Sequence, residues 1–330
     1  MISTGTTPPG SSTSGRGSEH RTAVLIAGPT ASGKTALAVA VAERLGAEVI
    51  NADSMQVYRD LPILSAQPAE DERCGIPHHL FGHVPASAAY SAGQWLRDAR
   101  AVLDRLEAEG RMAVIVGGTG LYFKALTEGL SEIPAVPAAV REAARARLAQ
   151  SGPAAMHADL AARDPDSAAA IRSSDGQRIV RAWEVLEATG RPLAAWQAAA
   201  AAPRLPLSRA VPVVLTPPRD WLYARIDARF DTMMAEGALD EVRALAAQNL
   251  SPDLPAMRAL GVPDLLAHLR GGLSRADAVA AAKIASRRYA KRQMTWARTQ
   301  MIAWKVLAEK ENDKRLASIF QFLCENGLTA

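Results

Sequence analysis

The sequence predicts an α/β fold: a phosphate-loop core with a parallel sheet, plus a helical insertion domain. Three observations carry that prediction. Residues Gly28-Pro29-Thr30-Ala31-Ser32-Gly33-Lys34-Thr35 match the pattern G-x-x-x-x-G-K-[ST] at every fixed position. A strand, a Gly-rich turn and a helix recur further on, at Met112-Ala-Val-Ile-Val116, Gly117-Gly118-Thr119-Gly120 and onward from Leu121. Residues 135–202 then turn Ala- and Arg-rich with helical spacing and few β-branched runs.

The elements follow in order. Residues 1–20 are rich in Ser, Thr, Gly and Pro without an apolar run, so they read as a disordered tail and not a secretion signal. Residues 22–27 form a buried strand, and residues 35–45 a helix whose N-terminus faces the loop. Residues 47–50 read as a short strand ending just before Asp53. Ser91-Ala-Gly-Gln94 is a capping box opening a helix to about Glu109. The core therefore runs over 21–129, pauses for a helical insertion at 130–205, and resumes at 206–308 with the strand at 211–216. From Asp220 the chain reads as helical until the charged, unpatterned stretch near Glu309, and 309–330 read as a C-terminal tail.

Composition narrows the class. Hydrophobic residues are 48% and charged residues 22%, ordinary for a globular protein. No apolar run reaches the length of a membrane span. Two cysteines, Cys74 and Cys324, give no disulfide framework, and a reduced cytoplasmic setting is expected. The net charge of +4 hides an uneven distribution. Between Ala278 and Ala308 there is no Asp or Glu, while Lys283, Arg287, Arg288, Lys291, Arg292, Arg298 and Lys305 are basic. Such a stripe suits a polyanion, nucleic acid first.

Candidate chemistry gathers at the strand ends. In the phosphate loop, backbone N–H groups turn inward around an oligophosphate, Lys34 adds a charge, and the Thr35 hydroxyl is suited to Mg2+. Asp53 follows a strand, where an acid serves as a magnesium ligand, as a general base toward a second substrate, or simply as a turn or helix cap. Thr119 sits where a sheet edge meets a helix N-terminus, the place where open α/β sheets bind ligands. Arg225 and Arg229 fall four apart on one helix face, in reach of a diphosphate. His79 and His83 share that spacing but lack the glutamate of a zinc protease helix, so no metal is expected there.

Together these segments resemble the tRNA dimethylallyltransferase family. The resemblance rests on GPTASGKT (28–35), DSMQVY (53–58), VGGTGLYFKAL (116–126), QRIVRAWEV (177–185), RIDARF (225–230) and KRQMTWAR (291–298). It covers roughly residues 22–305 and implies a P-loop NTPase-like core. It further implies transfer of a dimethylallyl group from dimethylallyl diphosphate to N6 of the adenosine 3′ of the anticodon, with release of diphosphate. The catalytic residues it implies are Asp53, Thr119 and Arg229. Gly28, Thr30, Ala31, Ser32, Gly33, Lys34 and Thr35 would hold the diphosphate, with Thr35 on Mg2+. Contacts to the tRNA anticodon stem-loop fall on Asp53, Ser54, Met55, Gln56, Thr119, Arg141, Gln177, Arg178, Arg181 and Arg258. They continue over Lys291, Arg292, Gln293, Thr295, Trp296 and Arg298. A monomer is implied, with no membrane partner.

Two positions depart from the family pattern: Gln67 stands where many members have Lys, and Val262-Pro263 follow Gly261 where many have Tyr. The loop taken alone also suits a nucleotide or small-molecule kinase, or a tRNA-binding module that has lost its chemistry. A kinase gives no reason for the acid-free stripe.

Overall fold

The computed structural model describes residues 21–199 and 201–326; the tail expected at 1–20 lies outside them. Strand β1 (Ala23–Ala27) leads through the phosphate loop into helix α1 (Lys34–Leu45). Then come β2 (Glu48–Asn51), a two-residue β3 (His78–His79), α2 (Ala92–Ala108), β4 (Ala113–Gly117) and α3 (Gly120–Glu128). The insertion carries α4 (Ala138–Arg163), α5 (Pro165–Ala169), α6 (Gly176–Thr189) and α7 (Leu193–Ala198). The core resumes with β5 (Ala210–Leu215), α8 (Arg219–Ala235), α9 (Ala238–Ala247), α10 (Val262–Leu269) and α11 (Arg275–Gln300). It closes with β6 (Lys305–Leu307) and α12 (Asn312–Glu325).

The six strands form one parallel sheet in the order β3-β2-β4-β1-β5-β6. Because side chains alternate along a strand, β1 feeds both faces. Ala23, Leu25 and Ala27 join the core beneath α2 and α3, with Trp95, Leu103, Phe123 and Leu126. Val24 and Ile26 join the opposite core, with Leu37 and Val41 of α1 and Ile319 and Leu323 of α12. Strands buried on both faces read as continuous apolar runs, which is why they were visible in the sequence.

The insertion has its own small core of Ala144, Met156, Leu160, Ile179 and Trp183. Gly152 (φ 73°) and Pro153 break α4 into two segments. Return to the sheet is fixed by Arg204, which bonds Asp104 and Glu107 on α2 at 2.7 Å each.

The C-terminal region differs from the expectation. Residues 309–330 were expected as a tail, yet Asn312–Glu325 is a helix packed on α1 through Ile319 and Leu323. Residues 305–307, expected as helix, add an edge strand to β5. Each buries few apolar residues, too short a pattern to stand out before its neighbours are known.

Candidate active site at the carboxyl edge of the sheet

Three loops meet above β1, β2 and β4. The phosphate loop is shaped by two left-handed residues, Ala31 (φ 60°) and Gly33 (φ 87°). Glycine suits the second position because only it enters that region without strain. Lys34 is buried, with its Nζ donating to the Pro29 carbonyl at 3.2 Å. Burial pulls its pKa down to about 8, against the opposing pull of Asp53, while Arg229 adds to the drop. Thr35 is half-buried at the start of α1, and its hydroxyl bonds no protein group among the described residues.

Asp53 follows β2 and is held by its neighbours. Its N–H donates to Asn51 Oδ1 at 2.8 Å, and its Oδ1 accepts from the Met55 N–H at 3.0 Å. Asn51 is fixed in turn: Nδ2 donates to the Asp53 and Leu80 carbonyls, and its own carbonyl accepts from Trp95 Nε1 at 2.7 Å. Trp95 stacks on Tyr122, with ring centroids 4.4 Å apart. The second Asp53 oxygen is left facing Gly118, where a Cβ would stand 3.2 Å from it.

The third loop supplies Thr119. Its Oγ1 accepts from the Ser54 N–H at 2.9 Å and donates to Ser54 Oγ at 3.2 Å. Its own N–H donates to the Ala52 carbonyl at 3.1 Å, lacing this loop to the Asp53 loop. The glycines here leave room for close approach. A Cβ on Gly117 would lie 2.1 Å from the Ala52 backbone, and one on Gly118 would lie 2.1 Å from Gln293 Nε2. On Gly120 it would fall 2.0 Å from Trp296 Nε1.

Helix α11 closes the cluster. Gln293 is buried; its Oε1 accepts from the Thr30 N–H at 2.9 Å and its Nε2 donates to the Gly118 carbonyl at 3.0 Å. One side chain thus ties the phosphate loop to the Thr119 loop. Between them lies a narrow, partly open cleft lined by Gly28, Gly118, Gly120, Gln293 and Trp296. Tyr289, one turn before Gln293, is pushed up in pKa first by burial and then by the nearby Asp53 charge, with a hydroxyl contact to Thr119 acting the other way.

Arg229 and Arg225 differ in task. Arg229 lines a partly open pocket beside Thr30 and Ala31, with Leu64, Phe230 and Met233. Its pKa is lowered mainly by burial, with Glu72 opposing. Arg225 instead donates to the Ala31 carbonyl at 3.0 Å and lies over Trp221, so it braces the loop from outside.

The residues expected to meet tRNA divide into two groups. Arg141, Gln177, Arg178, Arg181, Lys291, Arg292, Thr295 and Arg298 are exposed. Arg258 is exposed and pairs with Asp253, which also bonds Arg145 of α4 at 2.9 Å. Two glutamines depart from this surface placement. Gln56 is buried, donating to the Ser65 and Ala66 carbonyls, and Gln293 is committed at both ends as described. Their side chains brace loops in this structure.

The stripe on α11 is also less bare than its sequence. Lys283 pairs with Asp231 at 2.6 Å and Arg287 with both Asp227 oxygens at 2.6 and 2.5 Å, all across from α8. Arg288, Lys291, Arg292 and Arg298 have no carboxylate partner among the described residues. Ala285, Tyr289 and Trp296 are only half-buried; Ala278, Ala282, Ser286, Ala290, Gln293 and Ala297 form the buried face of the helix.

Both departures from the family pattern find local reasons. Gln67 donates to the Tyr58 carbonyl at 2.7 Å, bracing the loop after Asp53. Pro263 sits in the first turn of α10, where its missing N–H is harmless, and Val262 is fully buried. Sequence reasoning missed Arg315, a buried guanidinium bonded to Ser32 of the phosphate loop, because no motif surrounds it. Among the described residues no three His, Cys, Asp or Glu side chains gather as a metal site, and no helix is long and apolar enough to cross a membrane.

Comparison with known proteins agrees with this geometry. Residues 56–300 match the model of the family described as IPP transferase, and residues 21–79 match one described as isopentenyl transferase. A tRNA dimethylallyltransferase of Rhizobium meliloti is 53% identical over 279 residues, covering 84% of this chain and 92% of the relative. That of Parvibaculum lavamentivorans is 52% identical over 307 residues, covering 93% and 97%. The structure of a tRNA isopentenylpyrophosphate transferase from Bacillus halodurans superposes with a TM-score of 0.67 at 33% identity, over 93% of this chain and 96% of that one. A eukaryotic dimethylallyltransferase acting on tRNA gives a TM-score of 0.78 at 26% identity, over 93% and 80%.

Proposed function

The chain belongs to the IPP transferase family, and from that premise we propose its reaction in full: it transfers the dimethylallyl group of dimethylallyl diphosphate to N6 of the adenosine 3′ of the tRNA anticodon. The observation that carries this reading is the position of Asp53. It follows β2 beside the phosphate loop and the Gly118 turn, with one carboxylate oxygen fixed by the Met55 N–H and the other next to Gly118, where a Cβ would stand 3.2 Å away.

The chemistry then balances as a displacement at carbon. The N6 nitrogen attacks C1 of the allylic group, the C1–O bond breaks, and diphosphate leaves with the bonding pair. The proton from N6 passes to the Asp53 carboxylate. Such a base is needed because the N6 lone pair is delocalised into the purine, and it works at hydrogen-bond reach. The adenine must leave its stack to arrive there.

Charge developing on the diphosphate meets inward N–H groups of the loop, Lys34 and Arg229, all set before the ligand arrives. Thr119, fixed by Ser54 and Ala52, places a hydroxyl beside the reacting centre. A magnesium ion would be held by the Thr35 hydroxyl, which has no protein partner among the described residues, together with phosphate oxygens. When bound, it supplies further neutralisation of the leaving group. The exposed cations of α11 and those of α4 and α6 suit the phosphates of the anticodon stem. The chain acts as a monomer in the cytoplasm.

The test supplies the purified chain with tRNA, magnesium and labelled dimethylallyl diphosphate. Label recovered as N6-dimethylallyladenosine is the expected result. Tight tRNA binding without label transfer, or phosphate transfer from ATP to a small acceptor, would overturn the reading.

A further inference from the structure

Helix α12 sends a buried arginine to the back of the phosphate loop. Arg315 is 1% exposed, and its Nη1 donates to the Ser32 carbonyl at 2.6 Å. Its Nε donates to the Glu309 carbonyl at 2.7 Å, anchoring the guanidinium to its own segment. Arg225 reaches the preceding carbonyl, that of Ala31, at 3.0 Å. Both guanidinium groups lie over the ring of Trp221, at 4.8 Å for Arg225 and 5.7 Å for Arg315. Two consecutive loop carbonyls are thus held from outside by two arginines that share one indole.

The consequence follows from peptide planarity. In a trans peptide the C=O and the next N–H point in opposite directions. A Ser32 carbonyl pinned outward therefore aims the Gly33 N–H inward, toward the concave side where an anion is held. The Ser32 N–H is used within the loop, donating to Pro29 at 3.3 Å, so the Gly33 donor matters more. Gly33 lies against this clamp: a Cβ there would stand a tight 3.1 Å from Arg315 Nη1, at a φ of 87° that already strains any side chain.

We propose that Arg315, paired with Arg225 over Trp221, is a positioning residue for the diphosphate loop, so that the C-terminal helix sets affinity for the prenyl donor. This rests on the reading of the loop as a diphosphate cradle. Arg315 touches neither donor nor tRNA; it acts through the Ser32–Gly33 peptide.

The test uses the full chain and compares Arg315→Met, Arg315→Lys, Ile319→Ala and Lys34→Met with the native protein. Binding of inorganic pyrophosphate with magnesium is read by calorimetry, and KM is measured separately for dimethylallyl diphosphate and for tRNA. Arg315→Met is expected to weaken pyrophosphate and raise the donor KM by roughly tenfold, the scale of one lost charge-assisted hydrogen bond, with the tRNA KM unchanged. Arg315→Lys should recover part of the loss, since an ammonium reaches one carbonyl but does not span both. Ile319→Ala removes apolar contact from the same helix and should lower the melting temperature with the donor KM unchanged.

A donor KM in Arg315→Met within about twofold of native, or one matched by Ile319→Ala, would overturn the proposal. If Arg315→Met does not fold, Arg315→Lys decides: native pyrophosphate affinity there contradicts the clamp. Pyrophosphate binding that survives Lys34→Met would overturn the diphosphate reading itself, and the clamp with it.

Discussion

The loop cluster above the sheet and the basic face of α11 are both rich in charge, but they use it differently. In the cluster the groups that shape the loops are tied to protein partners, while the Thr35 hydroxyl and the second Asp53 oxygen have no hydrogen-bond partner among the described residues. Asp53 is held by Asn51 and Met55, Lys34 leans on Pro29, and Arg225 is spent on Ala31. On the outer face Arg288, Lys291, Arg292 and Arg298 stand without carboxylates among the described residues. On the proposed reading, the difference separates a preorganised reaction site from a surface left open for a polyanion. Lys283 and Arg287 sharpen the contrast: they share the stripe in sequence, yet Asp231 and Asp227 neutralise them.

The largest effect is expected at Asp53. Asp53→Asn keeps the shape and the hydrogen bond from Met55 but removes the base. Turnover should fall by about 10²–10⁴-fold, the range for a lost general base, while tRNA affinity stays near native. Single-turnover kinetics with a filter-binding assay checks both numbers. Near-native turnover would remove Asp53 from the chemistry.

Lys34 gives the next effect. Its pKa in the free protein is lowered to about 8, chiefly by burial, from the ordinary 10.5. An anion in the loop favours the charged form, so binding raises that pKa and takes up a proton at higher pH. Pyrophosphate affinity should be level below pH 8 and fall toward about tenfold per pH unit above it. For folding the sign is the reverse of a stabilising pair: the folded pKa lies below the unfolded one, so burying charged Lys34 opposes stability below pH 8. That penalty lessens as pH rises from about 8 toward 10.5. Calorimetry across pH, with Lys34→Met expected to lose the dependence, checks the assignment.

A smaller change tests the open face. Removing both Lys291 and Arg292 as alanines should weaken tRNA binding roughly tenfold and flatten its salt dependence by about two phosphate contacts. An unchanged slope would deny them to RNA. The smallest change is expected on the paired side. Arg287→Ala should reduce stability by about 0.5–1 kcal/mol, the range for a partly exposed pair, with little change in salt slope. A slope change equal to that of the Lys291 and Arg292 variant would erase the distinction between the two groups.

Much of this site was legible because its motifs are contiguous. Residues 28–35, Asp53 and Thr119 each follow a strand in a short segment, and strand-end placement at one sheet edge follows from parallel pairing. What stayed hidden depends on partners far along the chain. Gln293 reads as an RNA contact until Thr30 and Gly118 appear at its two ends, separated from it by 263 and 175 residues. Asp227 and Asp231 lie outside the acid-free run, so the run alone overstated the free charge. Arg315 sits in a segment without motif, and its meaning comes entirely from a bond to a loop 283 residues away.

The central claim is that the phosphate loop holds a leaving group while the bond to carbon breaks. Dimethylallyl diphosphate with oxygen-18 in the C1–O–P bridge tests this most directly. After reaction with tRNA and magnesium, the heavy oxygen should appear wholly in the released diphosphate, and the modified adenosine should carry the dimethylallyl mass without it. Heavy oxygen left on the organic fragment, or phosphate on the acceptor, would mean that a P–O bond breaks instead and would contradict the account.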